Sequence, residues 1–218
     1  MAKPLRQKKL ASIFKKCKMG LIIKKRQDIA TPPVFIEVHS DYKGGGTLNN
    51  IGLVEGSLIR AGALVNFDEN TRLVALLKTA VIVEVAAGGA TAYKIAKLNK
   101  QQAHLFVSGD VFAKTVGGPS YAGTLDVSNA EYDVVTVGTS LGAMAVGDVL
   151  FHSAASGATA GALKVEVNGQ LRNDVIVDKN EFVAVVRQGI TYNRRLPFAA
   201  PQAVKDALKG IIIFSEQR

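Results

Sequence analysis

The chain has 218 residues, of which 48% are hydrophobic, a fraction normal for a globular protein large enough to bury a sizeable core. No run approaches the roughly 18 consecutive apolar residues of a membrane-spanning helix, and residues 21–23 are too short an apolar run for a secretory signal. The one cysteine, Cys17, excludes an intramolecular disulfide. A basic, acid-free start leaves a mitochondrial presequence open, although Ser12 is its only serine.

The net charge of +9 is concentrated in the first 26 residues. This segment contains no acidic residue, and the rest of the chain holds 17 basic and 18 acidic side chains, so the body alone carries about one negative charge. The isoelectric point of about 9.7 therefore describes an N-terminal arm and not a basic domain. The ten basic residues of the arm are Lys3, Arg6, Lys8, Lys9, Lys15, Lys16, Lys18, Lys24, Lys25 and Arg26.

Within the arm, apolar side chains recur with a helical period. Leu10, Ile13, Phe14, Cys17 and Leu21 fall on one stripe, and lysines occupy the remaining surface. An isolated helix of this length is marginal in water, and its like charges repel one another. We therefore expect the segment to order against a partner surface.

A change of pattern follows the arm. Thr31-Pro32-Pro33 favours extended backbone, and residues 34–39 then alternate with the period of a strand. The three glycines at 44–46 are interpreted as a flexible joint. The sequence thus predicts an anchoring arm and linker over residues 1–50 and a β-rich body over residues 51–218.

Short apolar segments separated by turn residues fill the body. Asn168-Gly169 lies between alternating segments and predicts a two-residue hairpin turn with positive φ at both positions. Near the C-terminus, Pro201 and Gly210 bracket a short predicted helix over residues 203–209, followed by a closing strand over 211–214. The fold class predicted is mainly β, a barrel or sandwich of short antiparallel strands with a short C-terminal helix. The strands are predicted over 63–67, 72–77, 80–85, 93–98, 105–107, 111–112, 132–137, 149–151, 163–167, 170–177 and 182–186.

Residue types that carry chemistry are scattered along the chain. The three histidines have no metal-ligand spacing to other candidate ligands, and no Gly-x-Ser-x-Gly or phosphate-binding glycine motif is present. One loop offers a weaker alternative, a Ca²⁺ site, although its residues are equally typical of turns. The sequence predicts no enzyme and no cofactor. The histidines are His39, His104 and His152, and the loop contains Asp126, Asn129, Glu131 and Asp133.

The arm is the strongest binding feature, and several partners fit it. Binding of nucleic acid would gain from neutralisation of its phosphates by the lysines. The arm has eight lysines but two arginines, and Phe14 is its single aromatic residue, so nucleic acid is a less favoured partner. The apolar stripe suits a hydrophobic groove on an acidic protein better, and a membrane surface would also accept it. The predicted partner-binding residues are Lys8, Lys9, Leu10, Ile13, Phe14, Lys15, Lys16, Lys18, Lys24, Lys25 and Arg26.

Three segments of the body resemble head-fibre and capsid-decoration proteins of tailed phages, in particular the crAss-like phages. They are residues 61–72 (AGALVNFDENTR) continuing to 78–80 (KTA), residues 128–138 (SNAEYDVVTVG) and residues 146–150 (VGDVL). The resemblance covers about residues 50–215 and is one of pattern and order, without a diagnostic catalytic motif.

The resemblance implies a structural virion protein on the capsid surface. Such proteins bind the assembled major capsid protein, often as oligomers, and cement or decorate the shell. The long lysine-rich arm departs from the pattern of the group, which leaves open whether it lies outside the shell or threads between capsomers. The prediction is therefore a capsid-bound homo-oligomer, a trimer or dimer, with nucleic-acid association as the alternative and no membrane partner.

Overall fold

A computed structural model of the protein describes residues 33–97 and 104–216. The folded unit that contains them runs from Pro32 to Arg218. The eleven predicted partner-binding residues of the arm, which lie between Lys8 and Arg26, fall outside the described residues.

The described residues confirm the mainly β fold with one short C-terminal helix. The helix, α1, is Gln202–Ala207, with Pro201 before it and Gly210 at a φ of +83° after it, as the sequence predicts. A 3₁₀ turn covers Asn193–Arg195. The strands are β1 (Phe35–Asp41), β2 (Gly46–Leu48), β3 (Leu58–Ile59), β4 (Leu64–Phe67), β5 (Leu73–Leu76), β6 (Thr79–Val81), β7 (Ala92–Ala96), β8 (Val111–Ala113), β9 (Ser120–Asp126), β10 (Tyr132–Val137), β11 (Val149–His152), β12 (Gly169–Leu171), β13 (Val175–Ile176), β14 (Phe182–Val183), β15 (Val185–Tyr192) and β16 (Ile212–Ser215).

The larger sheet has eight strands. Its order is β1-β15-β12-β4-β5-β2-β14, and β16 pairs in parallel with β15. Strand β14 continues through Ala184 into β15, so one chain segment connects one end of this curled sheet to the strand beside its other end. The β2–β5 pair is also parallel and the remaining pairs are antiparallel. Strands β3 and β13 form a separate two-stranded sheet.

The other six strands form a barrel in the order β6-β11-β8-β9-β10-β7. A bridge between Ile82 and Ile95 joins the end of β6 to β7, and the Val83 N–H donates to the Lys94 carbonyl at 3.0 Å. The sheet therefore closes on itself, which removes its exposed edges. Its apolar interior contains Ala80, Ile82, Tyr93, Ile95, Phe106, Phe112, Val135, Val137, Leu141, Met144 and Leu150.

The barrel is an insertion in the larger sheet. Its six strands begin at Thr79 and end at His152, and they lie between β5 and β12, which belong to the larger sheet. The sequence predicts only one barrel or sandwich, and the structure has two β assemblies. The alternation of side chains indicates where strands lie, but it does not specify which strands pair.

Both faces of the larger sheet are covered at its centre. Leu64 and Val65 are adjacent on β4, and they face different hydrophobic clusters because successive strand residues point to opposite sides. The inner cluster contains Leu48, Ile59, Ala63, Val65, Phe67, Val74, Leu76, Leu105, Leu171, Val175, Val177, Val183, Val185 and Phe198. On the outer face, α1 and the C-terminal segment contribute to a cluster of Leu64, Leu77, Val167, Ala200, Val204, Leu208 and Ile212.

The boundary predicted at residue 50 is too late. Strands β1 and β2 both belong to the larger sheet, so residues 35–48 are part of the body. The three glycines form a tight turn and not a flexible joint: Gly44 and Gly45 have φ of +76° and +52°. A side chain on Gly46 would come within 2.7 Å of the Arg72 carbonyl. These glycines allow a close approach of two backbones.

The hairpin predicted at Asn168-Gly169 is absent. Residues 164–168 are not a strand, neither Asn168 nor Gly169 has a positive φ, and Gly169 begins β12 beside β4 and β15. The Asn168 side chain accepts a hydrogen bond from the Phe67 N–H (2.8 Å) and donates to the Phe67 carbonyl (2.9 Å). The side-chain amide thus pairs with β4 as a backbone peptide group would. Position 169 is a glycine because a side chain there would come within 2.7 Å of the Val186 carbonyl.

Candidate functional site

A buried ion pair lies where the chain passes from the larger sheet into the barrel. Lys78 stands between β5 and β6, its side chain is 4% exposed, and its Nζ donates to Asp110 Oδ2 (2.7 Å) and to the Gly52 carbonyl (2.8 Å). Asp110 precedes β8 of the barrel, whereas Gly52 follows β2 of the larger sheet. One cation therefore links the two assemblies.

His152 ends β11, at the point where the chain leaves the barrel. Its Nε2 lies 3.6 Å from Asp110 Oδ1. Burial lowers the pKa of His152, and the positive charges of Lys78 and Lys164 lower it further, against the opposing effect of Asp110. A cavity of about 240 Å³ adjoins this group and is lined by Lys78, His152, Lys164 and Asn49 together with apolar residues.

A second histidine–carboxylate pair is buried near β10. His104 Nε2 lies 2.9 Å from Asp133 Oδ2, and His104 Nδ1 accepts a hydrogen bond from the Phe106 N–H at 3.1 Å. Both ring nitrogens are thus engaged, which fixes the tautomer of the neutral ring with its proton on Nε2. Lys97 Nζ lies 3.1 Å from Asp133 Oδ1 and also donates to two backbone carbonyls.

Burial is the main influence on the pKa of His104. It lowers the pKa of the imidazole, and the charges of Lys78 and Lys97 act in the same direction, whereas the hydrogen bond and the charge of Asp133 raise it. The following residue, Leu105, has a φ of +62° and packs in the core of the larger sheet, while Phe106 packs in the barrel. This unusual backbone conformation lets consecutive side chains enter both cores.

The loop considered for Ca²⁺ uses its side chains locally. Asp126 accepts a hydrogen bond from the Ser128 N–H (2.9 Å), Asn129 accepts one from the Glu131 N–H (2.8 Å), and Asp133 faces His104. The backbone hydrogen bond from Ser128 lowers the pKa of Asp126. Across residues 33–97 and 104–216, no group of three or more His, Cys, Asp or Glu side chains could hold a metal ion.

Two repeated Gly-Asp-Val segments adopt the same turn. In both, the glycine has a positive φ, +97° at Gly109 and +93° at Gly147. Each aspartate accepts a hydrogen bond from the backbone N–H three residues before it, at 2.9 and 2.8 Å. The aspartates also form 2.7 Å ion pairs with lysines, Asp110 with Lys78 and Asp148 with Lys114.

Sequence reasoning missed the pairs His104–Asp133 and Lys78–Asp110. The partners are 29 and 32 residues apart, so no local spacing could indicate them. The repeated Gly-Asp-Val was the one available signal for Asp110, because it marked an aspartate with a turn-capping role. The structure brings together these buried pairs, whereas the predicted partner-binding residues all lie outside its described part.

Comparison with family models, with curated proteins and with solved structures gave no match. None of the described helices is long and apolar enough to span a bilayer.

Proposed function

We propose that this chain is a structural virion protein that binds the assembled major-capsid shell of a tailed phage and decorates or stabilises it. The N-terminal arm is the attachment segment, and the β-rich body stands on the capsid surface. The proposal is for a non-catalytic protein without a cofactor. It is motivated by the resemblance of the body sequence to capsid-decoration proteins and by the properties of the arm.

The observation that carries this proposal is the separation of charge from fold. Ten basic side chains precede the first acidic residue, Asp28, and the remaining chain is close to neutral. Both β assemblies are built from residues beyond Pro32. A basic arm next to a nearly neutral body is suited to attachment on an acidic surface, because an arm that orders on binding contacts a large area.

Two histidines of the body, His104 and His152, support a structural role. Each lies against an aspartate, and His104 has both ring nitrogens occupied by protein groups. The buried Lys78 ammonium likewise donates to protein groups, the Asp110 carboxylate and the Gly52 carbonyl. Such buried polar groups favour one arrangement of the two β assemblies over alternatives, a use of buried charge known from other proteins.

Co-sedimentation of the full chain with purified shells of its own phage tests the proposal. Phe14→Asp should abolish attachment even at low salt, because it places an unpaired charge in an apolar groove. The matched control is Phe182→Asp, since Phe182 is 66% exposed on the body and is not part of the arm. We expect the control to bind as wild type does.

The dependence of binding on salt distinguishes attachment to a capsid groove from the nucleic-acid alternative. Binding to DNA or RNA would weaken log-linearly with salt and would be nearly unaffected by Phe14→Ala. Equal attachment of wild type and Phe14→Asp to shells would contradict a groove and leave a purely electrostatic tether. Absence of wild-type attachment to shells, together with salt-sensitive binding to nucleic acid, would overturn the capsid proposal.

A further inference from the structure

One end of the six-stranded barrel carries an exposed apolar surface, here called the tip face and defined as residues 83–92 and 138–147. Two loops form it and are joined by hydrogen bonds. Ala86 and Met144 exchange two backbone hydrogen bonds of 2.9 Å, and the Ser140 hydroxyl donates to the Gly88 carbonyl at 2.7 Å. At its base the Val137 N–H donates to the Thr91 carbonyl at 2.9 Å. The tip face is therefore an ordered surface.

The tip face exposes branched apolar side chains. Val85 is 71% exposed and Val146 is 62% exposed, and Val83 accompanies them. Most of the other exposed residues of the two loops are alanine, glycine and threonine. Single exposed valines are ordinary, but a group on two adjoining loops is an apolar patch that marks an interaction surface.

Charges at the tip face are paired within the chain. Glu84 is the one charged residue in the two loops, and its carboxylate lies 2.6 Å from Lys94 Nζ. Immediately beyond the second loop, Asp148 pairs with Lys114 at 2.7 Å, and Lys114 also donates to the Ala143 carbonyl at 3.0 Å. An uncharged centre with a polar rim is the usual composition of a protein–protein interface.

The glycines of the tip face indicate independently that it is an interaction surface. Glycine is usually required where φ is positive or where a side chain would collide with a neighbour. Among the described glycines, only Gly88, Gly89 and Gly138 have neither a positive φ nor an atom closer than 4.0 Å to the position of a side chain. All three lie in the tip face. The fold of one chain does not explain them, whereas close approach of another backbone would.

We propose that the tip face is the contact surface for a second copy of this chain. A partner of strong net charge would be matched by unpaired charges of opposite sign, and the tip face offers none among its described residues. A second copy presents the same uncharged centre and the same neutralised rim, so two tip faces meet without repulsion. This is the self-complementarity required of a symmetric contact.

Sedimentation of the full chain over a range of concentrations tests this inference. Wild type should form a concentration-dependent oligomer, and Val85→Asp should weaken that association by roughly tenfold or more, since it buries an unpaired charge. Gly89→Gln should also weaken it, by filling the space that the second copy occupies. The matched control is Ile176→Asp, because Ile176 is 55% exposed on β13, outside the barrel.

Circular dichroism of each variant should match wild type, since these side chains are exposed in one chain. Thermal unfolding should match at concentrations low enough for wild type to be monomeric, because association itself raises the melting temperature. A wild type that remains monomeric at all concentrations would overturn the inference. So would unchanged association of Val85→Asp, or equal weakening by Ile176→Asp. The attachment assay with shells distinguishes this failure from that of the arm, because Val85→Asp leaves the arm intact.

Discussion

At the residue scale, some polar side chains for which the sequence indicates no partner make several hydrogen bonds in the structure. His104 is flanked by apolar residues in the chain, yet its two nitrogens contact Asp133 and the Phe106 N–H. Asn168 is in a typical turn dipeptide, yet its amide pairs with Phe67 across the sheet. A side chain that offers both a donor and an acceptor can substitute for a backbone pair wherever the fold requires one.

Acid should destabilise the body through His104. Burial lowers the pKa of this imidazole below its usual value of about 6.5, so the unfolded chain binds the proton more readily. The stabilisation by neutral His104 is complete above about pH 6.5 and is lost as the pH falls towards the lower pKa of the folded state. Urea unfolding at pH 7 and pH 5 should show a lower free energy of unfolding at pH 5.

Substitutions of single histidines test whether His104 causes this pH dependence of stability. His104→Gln should make the difference between pH 7 and pH 5 smaller, and the remainder should come in part from His152, whose pKa burial also lowers. His39→Gln is the matched substitution at an exposed site, because the His39 side chain is 41% exposed, and His104→Gln should reduce the difference more than His39→Gln does. Parallel behaviour of wild type and His104→Gln would contradict the assignment.

At the scale of elements, the connections between β5 and β6 and between β11 and β12 determine how the barrel is held. Lys78 and His152 occupy these crossing points, and both face Asp110. Thr79 adds a hydrogen bond of 2.8 Å to the Ala199 carbonyl, from the segment that precedes α1. The insertion is therefore fixed by polar contacts at its base as well as by apolar packing.

Removing one member of the buried pair should be costly. Lys78→Met leaves the Asp110 carboxylate buried without its cation, and we expect a loss of about 3–5 kcal/mol in the free energy of unfolding. Lys78→Met combined with Asp110→Asn should cost less than the sum of the two single changes, because no unpaired charge remains. Denaturant unfolding of the four proteins measures this coupling.

The matched control for Lys78 is Lys94→Met. Lys94 pairs with Glu84 at the surface, where water and salt screen the interaction, so little change in stability is expected. Strict additivity of Lys78→Met and Asp110→Asn would show that the two side chains do not act as a pair.

At the scale of the whole molecule, the positive charge and the folded body occupy different parts of the sequence. Deletion of residues 1–26 should therefore leave the body folded, since the described members of the hydrophobic clusters all lie from Tyr42 onwards. Far-ultraviolet circular dichroism should retain the strand signal, and the truncated protein should lose attachment to shells. Loss of the strand signal would show that the body depends on the arm.

Part of the architecture could be predicted from local patterns alone. The alternation at 132–137 predicts β10, and Pro201 with Gly210 brackets α1, because backbone preferences act within a few residues. The sequence places the start of the body too late because its local pattern indicates a flexible joint at glycines 44–46, whereas Gly46 is required by the Arg72 carbonyl, immediately before β5. That contact joins residues distant in sequence, and local preference does not contain it.

The sequence by itself determined the β class, the short C-terminal helix and the confinement of the net charge to the first 26 residues, since composition and periodicity are properties of the chain alone. Tertiary structure decided the insertion of the barrel, the pairing of His104 with Asp133 and of Lys78 with Asp110, and the exposure of Val85 and Val146 on adjoining loops. Strand pairing is the physical reason. A strand with one apolar face can bury it against many partners, and only the complete set of pairings specifies which distant side chains meet.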